Sequence, residues 1–145
     1  MKHTAWIAIG LLVAGPAAAQ EAYLCIVDAA AGMAFDKDRG SWVAATFKPG
    51  ERYILRKVPA EEWKVGGQWV LSNFGETFPL AVCDKDASEA ATIECSGLET
   101  LLFSKKTLRF QLYYQGLYVN PEPGHAEGGD TPSIEIGKCS PGSPS

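Results

Sequence analysis

The chain has 145 residues, with 13 basic and 17 acidic side chains and a net charge of −4. That length suits one domain around a single hydrophobic core. The acidic balance excludes a generic nucleic-acid binder, which would carry a basic surplus; it suits solubility or attraction to a basic partner.

Residues 1–19 are expected to be a signal peptide. Lys2 supplies the positive start, Trp6 to Ala14 the short apolar core, and Gly15-Pro16 the break before Ala17-Ala18-Ala19, a small-residue cleavage signature. The apolar run is too short to span a bilayer, so no membrane span is expected. A lipoprotein would need a cysteine at the cleavage point, and Cys25 lies beyond it. The expected product is a soluble periplasmic or secreted protein. Losing Lys2 with the leader leaves 126 residues with a net charge of −5.

Four cysteines, an even number, then enter an oxidising compartment. Three pairings are open, and the strand plan favours Cys83–Cys95 and Cys25–Cys139. The second would tie the first strand to the last. A zinc site is not expected, because close C-x-x-C pairs are absent.

Ala22 to Asp28 is an apolar strand with Tyr23, Cys25 and Val27 on one face. Ala29 to Phe35 leads into a second short strand. Met33 to Phe47 is a hairpin turning at Asp36-Lys37-Asp38-Arg39-Gly40. Lys48-Pro49-Gly50 is a turn, and Glu51 to Val58 a strand with Tyr53 and Leu55 on one face. Pro59 to Val65 fits one helical turn, with proline first and glutamates in the first turn. Strands follow at Gln68 to Phe74 and Phe78 to Cys83, then a polar connection to Ala91. Thr92 to Ser96 is a strand with Ile93 and Cys95 inward, and Glu99 to Ser104 is another.

Thr107 to Val119 is the strongest alternation. Leu108, Phe110, Leu112 and Tyr114 share one face; Thr107, Arg109, Gln111 and Tyr113 share the other. Gln115-Gly116 offers a turn into a short return strand at 117–119. Ser133 to Cys139 is the last strand, with Ile134 and Ile136 expected inward. Residues 140–145 are expected to be a disordered tail. Eight to nine short strands with hardly any helix predict an all-β fold: one small antiparallel meander over 20–139, barrel or sandwich, stapled by disulfides.

Three phrases, GMAFDKDRGSW at 32–42, TLRFQLYYQGLYV at 107–119 and TPSIEIGKCS at 131–140, together resemble a group of small, exported, uncharacterised proteins of Gram-negative bacteria. The resemblance implies export and bacterial origin, and no activity.

No catalytic constellation emerges. His125 is the one histidine after the leader, and G-x-S-x-G is absent. Asp36, Asp38 and Gly40 open like a calcium loop, but the position of the bidentate glutamate falls on Phe47. The adjacent Glu61 and Glu62 cannot face each other across a cleft. No metal or cofactor is expected. The segment 120–132 is long, polar and rich in proline and glycine, which suits either a mobile connector or an adaptable binding loop held at both ends. Candidate binding residues are Tyr113, Tyr118, His125, Glu127 and Asp130. The expected function is a non-catalytic binding or interaction module with an envelope or basic extracellular protein as partner. The alternatives are an inhibitor of a basic envelope-attacking enzyme such as a lysozyme, and a small cell-envelope hydrolase.

Overall fold

The computed structural model describes residues 21–59, 67–83, 91–116, 118–119 and 130–142. The leader, the helical turn expected after Pro59, the connection after Cys83, and His125 and Glu127 lie outside them.

Each strand has one apolar face to hide, and these faces are hidden by closing the sheet on itself. Among the described residues there are nine antiparallel strands and no helix: β1 (Ala22–Asp36), β2 (Ser41–Phe47), β3 (Arg52–Lys57), β4 (Trp69–Asn73), β5 (Pro79–Cys83), β6 (Thr92–Gly97), β7 (Thr100–Ser104), β8 (Arg109–Tyr114) and β9 (Ser133–Gly142). Neighbours pair from β3 through to β9, and β9 returns to β1. Eight strands therefore form a closed barrel, with β2 as an addition. Closure removes the exposed edges that invite aggregation.

The ninth strand follows from the length of β1. One edge of β1 pairs with β9 from Ala22↔Gly142 to Gly32↔Ser133. The other edge pairs with β3 over Ala22–Ile26, then with β2 over Ala30–Asp36. The second half of β1 thus runs on with β2 as an arm. A register shift between Val27 and Ala29 changes which residues face inward. Tyr23, Cys25 and Val27 are buried before it, and Ala30 after it.

An eight-stranded barrel is just wide enough to be filled by side chains, and this one is filled. Trp69, Phe103, Leu55, Leu71, Ile93, Leu101 and Leu112 are almost wholly buried. Tyr23 packs between the rings of Trp69 and Phe103, with centroids at 5.8 and 4.8 Å. Both disulfides are inside the barrel, and each joins residues directly opposed on neighbouring strands: Cys25–Cys139 across β1 and β9, Cys83–Cys95 across β5 and β6.

Several expectations need correction. Ala22 to Phe35 is one continuous strand, because its small and apolar residues contain no turn signal. No strand is formed at 118–119; Gly116 does turn, with φ of 61°, but β8 finds its partner in β9. Leu108 lies in the preceding turn with φ of 55° and only packs against the margin of the core. β9 continues to Gly142, paired with β1, so residues 140–142 are not a tail. Ile136 points outward and is 50% exposed. The disulfide at Cys139 fixes the parity of β9, so the inward positions are Glu135, Gly137 and Cys139.

Candidate functional site

That parity places a carboxylate where a core residue was expected. Glu135 faces inward at the end of the barrel from which the arm extends. Tyr53, buried on β3, donates its hydroxyl to Glu135 Oε2 at 2.7 Å. Glu99 immediately precedes β7 at the same end, and its Oε2 is buried without a hydrogen-bond partner among the described residues. Glu51, just before β3, adds a third negative charge. None of these three carboxylates forms an ion pair among the described residues.

The titrations reflect this crowding. Burial, then the charges of Glu135 and Glu51, push the Glu99 carboxyl up to about 7. Glu135 is also raised, chiefly by burial; the Tyr53 hydroxyl opposes the shift and the Glu51 charge adds to it. The Tyr53 hydroxyl is raised far above its usual range by burial first, then by its bond to Glu135 and the surrounding carboxylates. On the same rim Tyr114 donates its hydroxyl to Asp130 Oδ1. That bond, with burial and the Asp130 and Glu99 charges, moves Tyr114 up to about 12.

The arm supplies aromatic surface at this end. Tyr118 meets Trp42 edge-on, with centroids 5.4 Å apart and planes at 90°. Phe35, the register partner of Trp42, packs against it with centroids 5.6 Å apart. Met33, Trp42, Tyr118 and Pro132 enclose a small apolar cavity of about 260 Å³. At the tip of the arm the Asp36 carboxylate accepts the N–H groups of Asp38 and Arg39 and pairs with the Arg39 guanidinium at 3.3 Å. The acidic residues there build a hairpin turn.

The structure brings Tyr118 and Asp130 to the same end of the barrel. Gly116 makes this possible, since a Cβ there would meet the Asp130 carbonyl oxygen at 2.7 Å. Tyr113 stands apart on the outer wall, its hydroxyl accepting from the Gln111 amide. Tyr53, Glu99 and Glu135 were missed by the sequence reading. The signal was available: an inward Cys139 and strict alternation put Glu135 inside.

Among the described residues no group of three or more histidine, cysteine, aspartate or glutamate side chains could hold a metal ion. Likewise no helix among them is long and apolar enough to cross a membrane. The two disulfides are consistent with an oxidising, exported compartment. The chain matches no family model, no curated protein and no solved structure.

Proposed function

We propose that this is an exported, non-catalytic binding protein whose carboxylate rim receives a basic group of a partner protein, in the manner of an inhibitor of a basic envelope-attacking enzyme such as a lysozyme. The observation that carries the reading is Glu99, a carboxylate with one oxygen buried and unpartnered, beside two further carboxylates and with no ion-paired cation among the described residues. Burying like charges together is unfavourable, and a lysine or arginine entering the rim would relieve it. The filled barrel argues against an enclosed ligand, so binding belongs to the rim and the arm. The exposed ring of Tyr118 and the half-buried ring of Trp42 add the aromatic surface that protein interfaces favour.

The test is titration of the disulfide-bonded protein with hen lysozyme, reading both complex formation and residual cell-wall lysis. Complex formation that weakens as salt rises, and that Glu135→Gln weakens further, is expected. Lysozyme that neither binds nor loses activity defeats the inhibitor form. The rival hydrolase reading draws on the raised Glu99, because a carboxyl held near 7 suits a general acid. Peptidoglycan cleavage by the protein alone, abolished in Glu99→Gln, would favour it instead.

A further inference from the structure

The outer wall at the other end of the barrel holds a second feature, unrelated to the acidic rim. Thr92, Ser104, Arg109 and Lys138 are successive register partners across β6, β7, β8 and β9, and so form one row over four strands. The next outward row is Leu102, Gln111 and Ile136, again direct partners. The two rows line a groove of about 500 Å³, with Asp28 at one side where β1 changes register.

Arg109 and Lys138 are directly opposed like charges. Such pairs disfavour a sheet, and neither forms an ion pair among the described residues. The fold therefore tolerates a repulsion that an anion between the two side chains would convert to attraction. The volume is that of a small-molecule site rather than a protein interface. Two cations are too few to track a nucleic-acid backbone in a chain of net charge −4. Next to the cations lie hydroxyl and carboxylate groups able to exchange hydrogen bonds with sugar hydroxyls. Beside them the side chains of Leu102 and Ile136, on either side of Gln111 and the latter 50% exposed, offer apolar surface for the C–H face of a sugar ring.

We propose that this groove binds a short anionic glycan. Arg109 and Lys138 clamp its carboxylate or phosphate, Thr92, Ser104 and Asp28 bond its hydroxyls, and Leu102 and Ile136 support the ring. The proposal does not depend on what the rim binds.

The purified disulfide-bonded protein is titrated calorimetrically with trigalacturonate, with glucose 6-phosphate, and with neutral maltotriose. Trigalacturonate, glucose 6-phosphate or both should bind, and which of them does identifies the acid; maltotriose should not. Arg109→Ala and Lys138→Ala should each weaken binding about tenfold, the loss of one charge-assisted contact. Both variants should melt at or above the wild-type temperature, because the repulsion is gone. Arg109→Lys should bind better than Arg109→Ala. Equal binding of maltotriose, wild-type affinity in both alanine variants, or no binding of either anion overturns the proposal. So does a short DNA duplex that binds through Arg109 and Lys138 where no sugar does.

Discussion

Glu99 holds its proton at a pH where an ordinary glutamate has lost it, and this has a consequence for stability. Its folded value, about 7, lies above the ordinary 4.5. The favourable contribution of the protonated form is therefore complete below the unfolded value and is lost as pH rises through the folded one. Thermal melts followed by circular dichroism should show stability falling between roughly pH 5 and 7.5. Glu99→Gln should flatten that slope and raise the melting temperature at pH 7.5. An unchanged slope would mean that Glu99 is solvated. Gly137 makes the complementary point about space. It faces Phe110 across β8 and β9, and a Cβ there would lie 2.1 Å from the Ile26 carbonyl oxygen and 2.6 Å from the Phe110 ring. The backbone oxygen cannot swing aside, so Gly137→Ala should cost about 1–3 kcal/mol in denaturant melts, as overpacking does. Neither residue stood out in the sequence, where Ile134 and Ile136 were the obvious inward candidates. Hydrophobicity alone misassigned the face, whereas the cysteine two residues past Gly137 carried the right parity.

At the scale of the element, the patterns with a clear period of two were legible. β8 shows it well: Phe110 and Leu112 are buried and Arg109 and Tyr113 are exposed. Phe110→Ala should cost about 3–5 kcal/mol, and Arg109→Ala should leave stability unchanged or raise it by less than about 0.5 kcal/mol. Chemical denaturation of both variants tests the alternation, and equal losses would refute it. The arm was half legible. Its hairpin at Asp36–Gly40 was plain from turn chemistry, but its continuity with the first strand was not. Ala29, Ala30, Ala31 and Gly32 have too little side chain to show a period. The β-bulge near Asp28 also shifts the inward face there, so neither parity fits the whole strand. Leu108 was misplaced for a related reason. It continues the alternation of β8 in sequence, yet its backbone belongs to the turn, where its N–H donates to the Ser104 carbonyl oxygen at 2.8 Å and its own carbonyl accepts from Cys139 N–H at 2.8 Å.

For the whole molecule, the choice between barrel and sandwich depends on one contact between the chain's two ends, and local patterns do not report it. The favoured cysteine pairing left both forms open, because a bond from the first strand to the last is consistent with bringing the sheet round on itself but does not require it. The two disulfides should then differ in what they stabilise. Cys25–Cys139 spans 114 residues and Cys83–Cys95 spans 12. The chain-entropy model favours the longer loop by ~2 kcal/mol. Cys25→Ala with Cys139→Ala should thus lose more stability than Cys83→Ala with Cys95→Ala, each pair leaving a similar small void in the core. Yet the longer bond also lies within the ten-residue ladder between β1 and β9, which should keep the barrel closed after the bond is gone. Hydrogen exchange separates the two effects. In the Cys25/Cys139 variant the amides of β1 and β9 should open at lower free energy, while those of β4 to β7 keep their protection relative to global unfolding. If the Cys83/Cys95 variant is the less stable of the two, the short hairpin rather than the seam holds the barrel together, and closure by the terminal strands is a consequence of the fold rather than its support.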